Sequence, residues 1–146
     1  MPRFARLFEA AADTLNAYYQ ALADANPDAL MALWIDEDFA SCIWADGSHL
    51  HGLEEIRGGF VQYTTQPLVI EPLDVRVYDS LGTIVYTIAE AHQRAGAERP
   101  EMVYATYVMI HERGEWRIAH IHASPIPDPT AHQFAVKIRH GQGHLH

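Results

Sequence analysis

The sequence predicts an α+β domain in which helices pack on one face of a curved, mostly antiparallel sheet. Three observations predict it. Apolar residues recur at helical spacing in the first half of the chain, long strand-like segments joined by short turns fill residues 68–124, and Pro67 separates the two regimes.

Residues 4–25 carry Leu7, Phe8, Ala11, Ala12, Leu15, Tyr18, Tyr19 and Leu22 at steps of three and four, the stripe of a long amphipathic helix. Asn26-Pro27-Asp28 ends it and starts another, because asparagine caps well and proline suits a first helical turn; the second helix is expected over residues 29–35. Residues 39–44 then read as a strand, Asp46-Gly47 as a hairpin turn and residues 48–51 as the return. Gly52 breaks that strand. A third helix is expected from Leu53 to about Thr65, with Ile56, Phe60 and Tyr63 on one side and Gly58-Gly59 weakening it by about 1 kcal/mol each against alanine. Four strands follow, over residues 68–78, 83–93, 102–111 and 115–124, with turns at residues 80–82, 95–97 and 113–114. One domain is expected over residues 1–124, and residues 125–146 form a C-terminal arm in which His140, His144 and His146 can bind metal adventitiously.

Composition excludes several classes of function. A net charge of −9, with Lys137 the sole lysine, works against binding nucleic acid or an anionic membrane through phosphate neutralisation. No apolar run approaches the ~20 residues of a membrane span, and residues 1–26 mix Glu9, Asp13 and Asn16 into their apolar positions, unlike a signal peptide. Cys42 is alone, so no intrachain disulfide forms and a reducing compartment fits; the expectation is a cytoplasmic protein. Cys42 has no basic neighbour to activate it, and Gly58-Gly59 lacks the Lys-Ser/Thr of a phosphate loop.

The run Gly114-Glu115-Trp116-Arg117-Ile118-Ala119-His120-Ile121-His122-Ala123-Ser124 resembles the last strand of the calcium/calmodulin-dependent protein kinase type II association domain. Gly52-Leu53-Glu54-Glu55-Ile56-Arg57-Gly58-Gly59-Phe60 is similar to the start of that family's third helix, and Asn26-Pro27-Asp28 falls at its first helical turn. With the order of elements, these pieces resemble the nuclear-transport-factor-2-like superfamily, including SnoaL-like proteins, across roughly residues 7–124. The resemblance implies a cone-like, cystatin-like roll: three N-terminal helices on the sheet, a pocket between them, and a dimer built on the outer sheet face. It implies no single activity, since the fold hosts isomerases, cyclases, dehydratases and association modules. The kinase domain's pocket is lined by arginines, whereas the positions aligned with them hold Ile88, Val108 and Ala123, so the resemblance implies an apolar pocket here.

A turn at Arg113-Gly114 pairs His111 with Trp116, Val108 with Ala119, Thr106 with Ile121 and Tyr104 with Ala123. The face carrying Tyr104, Val108 and Ala123 is then the pocket side by resemblance, joined by Tyr18, Trp34, Phe60, Tyr86 and Ile88. The opposite face carries Tyr107, His111, Trp116, His120 and His122, with no remaining chain to cover it, and is the expected homodimer interface, extended in a larger ring if assembly continues. For acid–base chemistry the candidates are Glu90 and His92 on one strand, assisted by a hydroxyl of Tyr18 or Tyr19 on the first helix. His49/His51 and His120/His122 each offer two imidazoles to a metal, but nothing in the spacing supplies a third ligand, so no metal or cofactor is expected. Three functions fit: a dimer binding an unknown small molecule in a largely apolar pocket, a lyase or isomerase using Glu90, His92 and Tyr18, or an association module without a ligand.

Overall fold

A computed structural model describes residues 3–128, 130, 133 and 134, with residues 3–9 as backbone only. The face positions Leu7 and Phe8 and the late histidines His140, His144 and His146 lie outside the described side chains. Helix α1 (Arg3–Ala23) buries Ala11, Leu15, Tyr18 and Leu22 along one stripe, as the spacing predicts. The Asn26 side chain accepts a hydrogen bond from the Ala29 N–H at 3.1 Å and caps α2 (Pro27–Met31). That helix stops before the expected residue 35, because residues 33–35 turn to pair with the final strand. The Ile35 N–H donates to the Ile118 carbonyl and the Ile118 N–H to the Leu33 carbonyl, each at 2.8 Å.

A short hairpin, β1 (Ser41–Ile43) and β2 (His49–His51), leads into α3 (Gly52–Tyr63), so the third helix follows the hairpin instead of completing an N-terminal trio. Strands β3 (Leu68–Ser80), β4 (Thr83–Arg94), β5 (Glu101–Glu112) and β6 (Glu115–Pro125) complete a six-stranded sheet in the order β2-β1-β6-β5-β4-β3. All pairings are antiparallel except β1 with β6. The main core lies between the helices and the inner sheet face, with Leu22, Trp34, Ile56, Phe60, Ile88 and Met109 almost fully excluded from solvent.

The register of β5 and β6 departs from the expected one through a bulge. Arg113 (φ 51°) and Gly114 (φ 81°) form the tight turn and pair His111 with Trp116 as expected. Met109 then faces Ile118 but Val108 faces His120, leaving Ala119 as the extra residue. Beyond it every pairing shifts by one, and a shift of one exchanges the faces. Tyr107 and Ala105 therefore turn inward opposite Ile121 and Ala123, whereas Tyr104, Thr106 and Val108 turn outward with His120 and His122.

The outer face is partly covered by the chain's own end, contrary to expectation. Leu73, Ala89 and Ala91 form a second small cluster with Ile126, and Met102, Tyr104 and Phe134 pack against it. The Ile126 N–H donates to the Met102 carbonyl at 3.0 Å, and the Phe134 ring meets Tyr104 edge-on at 6.3 Å.

The two glycines of α3 differ in what they permit. A Cβ at Gly58 meets nothing within 4 Å, whereas one at Gly59 lies 2.6 Å from Leu50 Cδ1 and 2.9 Å from Trp44 Cη2. Trp44 cannot easily retreat, because its ring is held between Phe60 (5.5 Å) and Tyr63 (4.8 Å). Gly58→Ala is therefore expected to stabilise the protein by about 0.5–1 kcal/mol. Gly59→Ala is expected to destabilise it by about 1–2 kcal/mol through overpacking. Urea denaturation of the two variants checks this; equal shifts of the same sign would refute the close approach.

Candidate functional site

Strand β4 sends alternate side chains inward, and this brings Tyr86, Ile88, Glu90 and His92 to the helix side of the sheet. Tyr86 and Ile88 are absorbed in the core, whereas Glu90 and His92 reach a cavity of about 240 Å³. Helix α1 supplies Tyr18 to it and α3 supplies Tyr63. Trp44 and Asp46 come from the β1–β2 turn, Glu101 and Tyr107 from β5, and Ile121 and Ala123 from β6.

Glu90 is 0% exposed, so its carboxyl group needs partners in place of water. It has three. The Tyr19 and Tyr107 hydroxyls donate to Oε2 at 2.7 and 2.6 Å, and His92 Nε2 lies 2.7 Å from Oε1. Burial first, and the neighbouring Glu90 second, hold both phenols well above their ordinary pKa, so they remain donors. The tautomer of His92 sets the direction of that bond: with the proton on Nε2 the ring donates to Glu90 and keeps a lone pair on Nδ1, and His92 lines the cavity.

Tyr18 is 5% exposed, and its hydroxyl has no hydrogen-bond partner among the described residues. Burial is the main cause of a pKa raised well above ten, so it too keeps its proton. One wall is aromatic. Trp44 lies against Tyr63 at 35° between planes, and Arg94 sits 4.4 Å over the Tyr63 ring. Cys42 is buried and its thiol is pushed up to about 12 by desolvation, which leaves it an unreactive core residue.

Of the residues expected at the pocket, Tyr18, Glu90, His92 and Ala123 line the cavity. Trp34, Phe60, Tyr86 and Ile88 are core residues behind it. Tyr104 and Val108 are on the opposite sheet face, a correction that follows from the Ala119 bulge. Of the expected arginine-replacing positions, only Ala123 lines the cavity. Tyr107 and Trp116, placed at a dimer interface, are 1% and 6% exposed within this chain and belong to its interior. His111 packs on Trp116 at 5.1 Å between ring centroids. His120 and His122 do lie on the outer face.

On that outer face β1 runs between the two His-x-His strands, so Ser41 pairs with both His51 and His120, and Ile43 with both His49 and His122. The His120 ring meets the Ser41 hydroxyl at 2.7 Å. Desolvation, then the nearby His122, push the His120 pKa below its ordinary 6.5. The unfolded chain therefore binds this proton at higher pH than the folded one, and stability falls as pH drops below about 6.5 toward the folded value. Between pH 7.5 and 5.5 the melting temperature should fall less in His120→Gln than in the native protein; equal falls would refute the linkage.

Residues 11–129 match the SnoaL-like domain. The chain belongs to the SnoaL-like domain family. Solved structures place this SnoaL-like domain among nuclear-transport-factor-2-like and cystatin-like folds. A candidate dehydratase of the nuclear-transport-factor-2-like family from Streptomyces avermitilis is 22% identical with a TM-score of 0.75, covering 82% of this chain and 95% of its own. A candidate calcium/calmodulin-dependent protein kinase type II association domain from Thiobacillus denitrificans is 23% identical with a TM-score of 0.70, covering 78% and 93%. A cystatin-like protein from Caulobacter vibrioides is 15% identical with a TM-score of 0.72, covering 88% and 96%. No curated protein matches the SnoaL-like domain described here. Among its described residues no helix is long and apolar enough to cross a membrane.

Of the two phenols on Glu90, Tyr19 is the first-helix hydroxyl that the sequence offers beside Tyr18, whereas Tyr107 faces inward, contrary to expectation, because of the Ala119 bulge. Tyr63 shares the helical spacing of Ile56 and Phe60, whereas Trp44, Asp46 and Glu101 carry no sequence signal beyond being aromatic or acidic near turns.

Proposed function

We propose that this SnoaL-like domain is a lyase or isomerase that abstracts a proton next to a carbonyl group of a small molecule in the cavity. The observation that carries it is the buried Glu90–His92 pair. Every oxygen of Glu90 is occupied, so Glu90 is a poor base itself and serves to hold the His92 ring with Nδ1 toward the ligand. The Tyr18 hydroxyl, buried, protonated and without a partner among the described residues, is suited to donate to the carbonyl oxygen as negative charge develops there. Return of the proton to another carbon gives isomerisation. Departure of a hydroxide from the β-carbon, protonated to water, gives dehydration. The likeness to a candidate dehydratase agrees with this, and fold likeness alone carries little weight on chemistry.

The test is proton exchange in deuterium oxide, followed by NMR, across a panel of small cyclic ketones and β-hydroxyketones. Exchange at the carbon next to the carbonyl, dependent on the protein and lost in His92→Gln, is expected. A ligand that binds in the cavity without exchange would favour the binding-protein reading.

A further inference from the structure

Among the described residues three acidic side chains line the cavity and no lysine or arginine does: Glu90 within it, and Asp46 and Glu101 where the wall is exposed. Asp46 is held ionised, because the Ser48 N–H donates to its Oδ1 at 2.8 Å and lowers its pKa. Arg94, two residues along β4 from His92, does not line the cavity; it lies over the Tyr63 ring at 4.4 Å and donates to the Tyr63 carbonyl at 3.4 Å. An anionic ligand entering this space loses hydration and meets three acidic side chains, whereas a cation gains carboxylates and an aromatic face. The volume, about 240 Å³, lies below the ~300–1,000 Å³ of typical drug-sized sites and suits one or two rings. The Tyr18 side chain, nine-tenths buried on the cavity wall and with no hydrogen-bond partner among the described residues, can meet a polar ligand atom at the inner end.

We infer that the cavity takes a small flat ring bearing a protonated amine, with the ammonium group at Asp46 and Glu101 beside Trp44 and the reacting end at Tyr18 and His92. This rests on the proposal that the cavity is the ligand site, and it adds the charge class. Carboxylate and phosphate compounds are disfavoured by the same charges. Asp46 and Glu101 come from the β1–β2 turn and the start of β5, two segments that only the tertiary fold brings to one cavity.

The test is calorimetric titration of the full chain with three matched probes: 1-naphthylmethylamine, 1-naphthylmethanol and 1-naphthylacetate. The amine is expected to bind about tenfold more tightly than the alcohol, two solvent-exposed ion pairs each adding a modest gain, and the acetate more weakly than both. The amine-to-alcohol gap should shrink as salt rises and close to within about twofold in the Asp46→Asn/Glu101→Gln double variant. Acetate binding as tightly as the amine, or a gap that survives in the double variant, would overturn the inference. Binding of none of the three would overturn it together with the ligand site itself. Preference for the amine without proton exchange on any ketone would leave the charge class standing and remove the proposed reaction alone.

Discussion

Glu90→Gln is expected to lower turnover by about 10²–10⁴ while the protein stays folded. The amide keeps the shape, and its oxygen still accepts from Tyr19 and Tyr107. Its NH₂ group then faces His92 Nε2, which must accept instead of donate. The imidazole proton moves to Nδ1, and the nitrogen on the cavity wall no longer has a lone pair for the substrate. Glu90 is thus a positioning residue and His92 the catalytic one. Removing either should destroy the same function, so the Glu90→Gln/His92→Gln double variant should be no slower than the worse single variant. KM should change little in Glu90→Gln, because Glu90 is buried behind its partners. Independent losses that multiply in the double variant would show that the two groups do not act as a pair.

Phe60→Ala is expected to cost about 3–5 kcal/mol, a large fraction of the ~5–15 kcal/mol that holds a domain folded. Phe60 is 0% exposed and sits at the centre of an aromatic cluster. Its ring centroid lies 5.5 Å from Trp44, 6.2 Å from Tyr63, 6.3 Å from Tyr18 and 6.4 Å from Trp34. Removing the ring leaves a void that none of these rigid neighbours can fill without leaving its own contacts. Three of them, Trp44, Tyr63 and Tyr18, also line the cavity, so the loss of stability should be accompanied by weaker binding of any ring-shaped ligand. Urea denaturation measures the first effect as a lower midpoint at unchanged slope. A cost below about 1 kcal/mol would mean that the cluster collapses freely and that the cavity wall is not held by packing.

The candidate site was only partly legible in the chain. Glu90 and His92 were found because two-residue alternation along β4 places them with Tyr86 and Ile88, and Tyr18 because it lies on the core stripe of α1. Those are properties of one element each. Tyr107 was read onto the wrong face although its strand, its turn and its first cross-strand pair were right, because an unpaired Ala119 changes nothing in the local pattern. The bulge fits inside: Ile118 and Ala119, neighbours in sequence, are both buried. Alanine there is small enough to be accommodated on the crowded side, and that is visible only once the core around it is assembled. Ile126 and Phe134 covering Ala89 and Ala91 were missed for a related reason, since a proline-rich arm shows no periodicity that announces a docking face.

What the sequence by itself determined is local. Helical spacing, the Asn26 cap, the glycine turns and the alternation of the long strands specify the elements and the α+β class, because each depends on residues within a few positions of one another. The tertiary structure alone decided which face of β5 and β6 looks inward, that residues 33–35 leave the helix to join β6, and that Tyr19, Tyr107 and His92 converge on one buried carboxyl group. Hydrogen bonds join segments as much as 102 residues apart in the chain, as between the Thr14 hydroxyl and the Trp116 carbonyl. They are set by which pairing buries the most apolar surface while leaving few buried polar groups without a partner.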